Sequence, residues 1–461
     1  MALRQCSAAH CGAADPEIQA ACHAAGWPNG FPVPTRDENG LCSCSCSCLA
    51  LDTPVQAGDG NFRAIQDFKV GDKILACGKD LAFQEKEIVF SQGTSRDSRQ
   101  PFSVFLAYAD TALIVTSDHL FLMPDGTLKR ADRLSVNDDL VKSDGSPVRI
   151  SSVDIGEFIG GFHHVATSTD SPPSDLEGRL LNTNGIISAD YSTQLFYRSG
   201  ELDNAFLSAD HDALPIIGSP EYDARHGREE RFVPTNVFNA VGVQDVEKIA
   251  NDQRESKRFI SMSRSRLVIP EDAVSFISDE EARARESSPK RRWNDPLSRE
   301  WTEYLFEFYR AFYPDVQYQL DWANNTVNAY AWIDGGGVRH VALLGGLIRD
   351  ISLELEGIAL ILAHELGHHY GGTPTVPNST LACEGQSDFY GASIVMRRVW
   401  FGEAYGNTML AAINQMAAFF GVSADPPEPS TQAGCAHPAG ACRIRTYIAA
   451  LDLRPKPRCA S

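Results

Sequence analysis

The sequence predicts a multidomain protein in which an all-β domain is followed by an α+β, mainly helical domain, with a polar stretch between the two. Three observations lead there. Short alternating segments with Gly and Asp turns fill residues 48–196 and recur at a constant spacing. An apolar run, Ile351 to Ala363, has helical length, and Gly371-Gly372 downstream is a helix-stop signal. Between these, residues 197–290 are charged, with runs such as Asp252-Gln-Arg-Glu-Ser-Lys-Arg258 and Asp279-Glu-Glu-Ala-Arg-Ala-Arg-Glu286 that read as solvated helix or linker.

Composition bounds the rest. A chain of 461 residues with 43% hydrophobic and 22% charged residues is that of a soluble globular protein, with room for about two to four domains. Its net charge of −19 argues against nucleic acid as a partner, because phosphate binding needs a basic surface. No segment approaches the ~18 to 20 apolar residues of a membrane helix, so no membrane insertion is expected. Met1-Ala-Leu-Arg-Gln-Cys6 opens no apolar stretch of the ~7 to 15 residues a secretory signal carries. The expected location is therefore cytoplasmic, or outside by a non-classical route.

In chain order, residues 1–47 read as a small Cys-rich leader. Seven of the twelve cysteines fall in the first 48 residues, while Cys435, Cys442 and Cys459 cluster at the other end. Such clustering fits disulfide-bearing or metal-bearing segments. Cys435 and Cys442 are close enough in sequence to pair. In Cys42-Ser-Cys-Ser-Cys-Ser-Cys48 an extended chain would place the thiols on one face. Cys42, Cys44 and Cys46 read as a linker or metal knot.

Cys48 differs because Cys48-Leu-Ala-Leu-Asp-Thr53-Pro-Val55 opens the strand-rich segment. Asp59-Gly60, Phe62, Phe68, Val70 and Asp72 recur as Asp125-Gly126, Leu128, Leu134, Val136 and Asp138, a constant offset of 66 residues. Two similar halves of short strands imply a compact all-β domain. Between them, Thr111-Ala-Leu-Ile-Val-Thr116-Ser-Asp-His119 is an apolar strand carrying Thr-x-x-His. Alone, that pair would be a turn threonine and a strand-end histidine. With Cys48 and the duplicated halves, it resembles the Hint fold shared by hedgehog autoprocessing domains and inteins, over residues 48–196.

Asn184-Gly-Ile-Ile-Ser188-Ala-Asp190-Tyr191 is similar to the hedgehog-type closing segment, with Asp190 near the place of that family's cysteine. The resemblance implies an N–S acyl shift, in which the Cys48 thiol attacks the Ser47 carbonyl. Thr116 and His119 would then hold the scissile amide and protonate its nitrogen. No His-Asn followed by Cys, Ser or Thr closes the segment, so cleavage at Ser47–Cys48 is expected rather than splicing. No carboxylate suited to activate a sterol acceptor is evident.

Ser287-Ser-Pro-Lys-Arg-Arg292 reads as a boundary, giving domains at 1–47, 48–196, 197–290 and 291–461. Tyr304, Phe308 and Phe312, at four-residue spacing, read as the core-facing side of a helix. The chemistry concentrates in Ile361-Leu-Ala-His364-Glu365-Leu-Gly-His368-His-Tyr370. On a helix His364 and His368 share one face, so both imidazoles reach one metal ion, with Glu365 beside it. Glu384 and Asp388, at i and i+4, share a face of the next helix. Glu384 is placed to complete a His364, His368, Glu384 shell, and Asp388 to orient a ligating histidine. Zinc with three protein ligands keeps a position for water, whose proton Glu365 can take.

These motifs resemble the gluzincin metallopeptidases. Asn328-Ala-Tyr-Ala-Trp332 with Leu343-Leu-Gly-Gly-Leu-Ile348 is similar to the edge strand and helix of the HtpX/Oma-like branch, and His437-Pro438-x-x-x-x-Arg443-Ile444 to its C-terminal signature. The resemblance covers roughly residues 290 to 450 and implies a zincin fold acting on protein or peptide. Members of that branch commonly carry membrane helices, which this chain lacks. The expected function is thus a zinc-dependent endopeptidase with one Zn2+, fused to a self-cleaving Hint-like domain. The alternatives are a zinc-binding protein without turnover, or an exported effector whose peptidase the Hint domain matures. Oligomeric state is not readable.

Overall fold

The computed structural model describes residues 34–36, 42–44, 49–93, 96, 99–198, 206–207, 211–226, 258–262 and 267–461. The chain divides into two units, Met1–Ser265 and Arg266–Ser461. Cys48 lies outside the described residues, as do Ser47 and the rest of the leader, except that Pro34–Arg36 pairs antiparallel with Cys42–Cys44.

The first unit is all-β, apart from short helical segments. One sheet runs in the order Asp139–Val141, Pro147–Ile159, Arg99–Tyr108, Thr111–Thr116, Leu49–Ala50, Phe162–Ala166, Phe90–Gly93, and the other Leu128–Arg130, Leu120–Leu122, Ile186–Ala189, Leu180–Thr183, Pro54–Gln56, Phe62–Ala64. Their cores are aromatic in the first, around Phe105, Phe158 and Phe162, and aliphatic in the second, around Leu120, Leu128, Leu180 and Ile187.

The internal repeat is physical. Gly60 and Gly126 both take left-handed φ, at 84° and 80°, where a side chain would be strained. Asp72 caps the Lys69 amide at 3.0 Å, and Asp138 caps the Ser135 amide at 2.7 Å, again 66 residues apart. Phe68 and Leu134 are buried, but Val70 and Val136 are exposed, so the matched valines mark a turn and not the core.

The polar stretch 197–290 is not a free linker where it is described. Phe206, Ile217 and Tyr222 are buried in the first unit, and Tyr222 donates its hydroxyl to Leu134 O at 2.6 Å. Arg258–Ser261 adds a strand against Gly156–Ile159, burying Phe259. Nor is 287–292 a boundary: Arg291 is buried in the second unit and donates to Asp350 O and Leu353 O at 2.8 and 2.7 Å.

The second unit sets helices against a four-stranded sheet in the order Val274–Ser275, Ala329–Ile333, Arg339–Leu344, Val316–Asp321. Ala329–Ile333 is therefore not the edge strand, since Val274–Ser275 covers its outer side. The helix Pro296–Arg310 begins as its sequence dictates, with Asp295 accepting from the Ser298 amide at 3.0 Å and Pro at the first position. Its buried side is Leu305, Phe306 and Tyr309, while Tyr304 is exposed and stacks on the half-buried Phe308, so the Tyr304, Phe308, Phe312 stripe is not the core-facing side. The apolar run enters its helix only at Leu355, and Leu355–Tyr370 is buried along most of its length. No helix among the described residues is long and apolar enough to cross a membrane.

Candidate functional site

Two helices make the candidate metal site, and glycines let them touch. Leu355–Tyr370 carries His364, Glu365 and His368, and Glu384–Tyr390 carries Glu384 and Asp388. A side chain at Gly367 would place its Cβ 2.5 Å from Ser387 O, so only glycine permits this approach. Beyond Tyr390 the helix widens into a π-helical segment, Gly391–Val395, as it passes the Ala363 backbone.

His364, His368 and Glu384 converge, with ligand atoms all within 4.8 Å of one another. His364 Nε2 lies 3.0 Å from His368 Nε2 and 3.3 Å from Glu384 Oε2, and His368 Nε2 is 3.5 Å from Glu384 Oε1. All three side chains are buried. Their outer nitrogens are engaged from behind: His364 Nδ1 with Asp388 Oδ1 at 2.8 Å, His368 Nδ1 with Ala382 O at 2.7 Å. Those acceptors keep the Nδ1 protons in place and turn both Nε2 atoms toward Glu384.

Such a cluster calls for a positive charge. Burial disfavours a charged His364, yet Asp388 outweighs it and raises its pKa to about 9. Burial likewise opposes an ionised Glu384, and the neighbouring histidines override it and hold its pKa down. The donor set, two imidazoles and a carboxylate, therefore fits a divalent cation of the borderline kind in place of that proton.

Glu365 is the unusual group. It is fully buried, and among the described residues neither carboxylate oxygen finds a hydrogen-bond partner. Burial pushes its pKa up to about 8. An unpartnered buried carboxylate costs a few kcal/mol, so its position serves something other than packing.

Behind His364, Arg443 donates Nη2 to Asp388 Oδ1 at 2.7 Å and Tyr447 donates its hydroxyl to the same oxygen at 2.8 Å. Arg443 entered through the His437 to Ile444 signature, but Tyr447, Ala382 and Ser387 gave no signal of their own. Cys383 and Cys435 form a disulfide, and so do Cys442 and Cys459. Cys435 and Cys442, though close enough in sequence to pair, therefore do not: Cys442 sits on the buried face of Gly440–Leu451, toward the C-terminal residues.

In the first unit Thr116 and His119 are both buried, and the His119 amide donates to Thr116 O at 3.1 Å. Gln194 Nε2, already donating to Ala189 O at 2.9 Å, donates to His119 Nδ1 at 3.1 Å. The proton of neutral His119 therefore sits on Nε2, which meets no acceptor among the described residues. Burial lowers the pKa of His119 to about 4, so it is neutral at pH 7. Asp190 caps the helix Tyr191–Arg198, accepting from the Thr193 amide at 3.0 Å.

Known proteins resemble parts of the chain. The model of peptidase family M48 matches residues 299–426, which contain His364, Glu365, His368, Glu384 and Asp388. Among solved structures the chain is similar to a bacterial intein-like domain from Clostridium thermocellum, at 18% identity and TM-score 0.27, covering 32% of this chain and 100% of that one. It is also similar to a DnaB intein from Synechocystis sp. PCC 6803, at 18% identity and TM-score 0.26, covering 32% and 99%. A third is the gp41-1 intein, at 19% identity and TM-score 0.25, covering 32% and 100%. No curated protein matches the chain.

Proposed function

We propose that the second unit is a zinc-dependent endopeptidase acting on protein or peptide, and that the first unit is a Hint-like domain cutting the chain at Ser47–Cys48. The observation that carries the first half is Glu365, a buried carboxylate without a hydrogen-bond partner among the described residues, beside three convergent candidate ligands. A site that only held metal would gain nothing from it. The match to an M48 peptidase model over the same residues supports the substrate class.

His364, His368 and Glu384 would hold the zinc, which when bound supplies a Lewis acid that acidifies water. The rest is work for this chain's own groups. Glu365 takes a proton from the attacking water and returns it to the leaving nitrogen, work open to a buried carboxylate that has no other hydrogen-bond partner among the described residues. Asp388, backed by Arg443 and Tyr447, keeps His364 turned inward, and Ala382 O does the same for His368.

The test is zinc stoichiometry measured beside casein cleavage. Glu365→Gln keeps the shape and the metal but cannot accept a proton, so one zinc should remain while cleavage falls by about 100-fold or more. A variant that cuts casein as fast as wild type would remove the endopeptidase assignment and favour a zinc-binding protein.

For the first unit, the support is His119, whose Nε2 meets no hydrogen-bond partner among the described residues and would be open to hydrogen-bond the scissile amide, with Thr116 buried three residues before it. The Cys48 thiol would attack the Ser47 carbonyl, exchanging the amide for a thioester that an added thiol or hydroxylamine cleaves. Intact mass decides: Cys48→Ala should stay whole, and a folded wild type that also stays whole under thiol would leave this unit inert. The two disulfides favour a thiol-oxidising compartment, in line with an exported effector.

A further inference from the structure

The outermost strand of the second unit's sheet comes from the stretch that read as linker, and it meets the metal site. Val274 and Ser275 pair antiparallel with Ala331 and Tyr330. Past Ser275 the contacts continue: the Phe276 amide donates to Ala329 O at 2.9 Å and the Ile277 amide to Asn328 Oδ1 at 3.1 Å. Asn328 Nδ2 returns a bond to Ile277 O at 2.9 Å.

The carbonyls on this segment are held by groups of the site itself. His437 Nε2 lies 2.8 Å from Ser275 O and 3.6 Å from Glu384 Oε1. Arg443, which grips Asp388, donates Nη1 to Phe276 O at 2.6 Å. The Phe276 ring is fully buried, edge-on to His364 with centroids 5.2 Å apart, beneath the Arg443 guanidinium and against Phe419 and Phe420.

An extended peptide added to a sheet edge takes its register from main-chain hydrogen bonds and its selectivity from side-chain pockets. Val274–Ile277 meets both conditions beside His364 and the His437 and Glu384 pair. The Ser275–Phe276 amide is the link whose carbonyl faces the His437 and Glu384 pair and whose nitrogen is fixed by Ala329 O.

Resting on the endopeptidase reading, we propose that Val274–Ile277 is a built-in substrate strand and that Ser275–Phe276 is the first bond this peptidase cuts, in its own chain. The reaction is hydrolysis. The C–N bond breaks, water gives its hydroxyl to the Ser275 carbonyl carbon and its proton to the Phe276 nitrogen, and no other reactant is needed. The cut separates residues 1–275 from 276–461. Until it happens, the strand excludes outside peptides, and its sequence names the preference: a small residue before the bond and a large apolar one after it.

The experiment follows the full chain, supplied with zinc, by intact mass and N-terminal sequencing while casein is present. The expected result is a fragment beginning at Phe276, with casein cleavage rising after that fragment forms. Glu365→Gln should stay whole even when mixed with wild type, because the strand sits in its own cleft. Phe276→Ala should slow the cut by about 10-fold or more, and Phe276→Leu, which keeps a large apolar side chain, should retain most of it. Casein cleavage from the outset with Ser275–Phe276 intact would overturn the proposal and leave the endopeptidase standing. A first cut at another bond, or cutting of Glu365→Gln by added wild type, would also overturn it. A zinc-loaded chain that cuts neither itself nor casein would remove both readings.

Discussion

Asp388 Oδ1 sits 2.8 Å from Nδ1 of His364, and the same oxygen receives Arg443 and Tyr447, so one buried carboxylate both orients the His364 ring and neutralises a buried guanidinium. The pKa of Asp388 is held far below the usual range: burial would raise it, but Arg443 and His364 prevail. Asp388→Ala should weaken zinc retention by about 10 to 100-fold. It should also strand Arg443 as an uncompensated buried charge, costing about 3 to 5 kcal/mol of stability. Chelator competition and urea unfolding measure the two effects, and unchanged zinc affinity would sink the orienting role.

Gly367 tests whether the site depends on helix approach. Its absent Cβ would meet Ser387 O at 2.5 Å, with backbone on both sides. Gly367→Ala should force the Glu384 helix outward, destabilising by about 1 to 3 kcal/mol and loosening zinc. Gly406, half-buried in the helix Glu403–Phe420 with nothing near its Cβ, is the control. There Gly→Ala should be neutral or stabilising by up to about 1 kcal/mol. Equal thermal midpoints for Gly367→Ala and wild type would show that the helices have room to spare.

What was legible follows physical range. His364, His368, Glu384 and Asp388 could be read because their relations are one helical turn long, and the duplicated half because equivalent turns need equivalent residues. The Cys383 and Cys435 bridge could not, since it joins residues 52 apart that only the fold brings together. Four-residue spacing marked a stripe at Tyr304, Phe308 and Phe312, yet Leu305 and Tyr309 form another, and spacing alone does not say which faces the core. Val274–Ser275 is two residues long, too short for any alternation, and takes its partners from Ala329–Ile333. Gln194, behind His119, lies 75 residues away in sequence.

His119 makes the first unit sensitive to acid. Its pKa falls from 6.5 to about 4 on burial, so the unfolded chain takes up a proton that the folded one refuses. The stability from its neutral state is complete above pH 6.5 and is lost as pH falls through about 4. Between pH 7 and pH 4.5 this amounts to about 2 to 3 kcal/mol. Urea unfolding of wild type and His119→Gln at both pH values should show a smaller loss in the variant. An equal loss would mean that other groups govern the acid response.

The bridge between Cys383 and Cys435 joins the residue just before Glu384 to a segment two residues from His437. Cross-linking residues 52 apart restricts the unfolded chain, and a loop of that size is worth about 2 to 4 kcal/mol. Local consequences should be larger than global ones, because Glu384 begins its helix directly after Cys383 without a side-chain cap. Cys435→Ser should therefore release zinc to a chelator faster than wild type, and wild type treated with a reductant should converge on the variant's rate. Cys442 and Cys459 close a separate loop of 17 residues, so Cys459→Ser should lower the thermal midpoint with less effect on zinc release. If both variants release zinc at the wild-type rate, Glu384 is held by its helix packing alone, and the disulfide is a brace for the fold and not for the site.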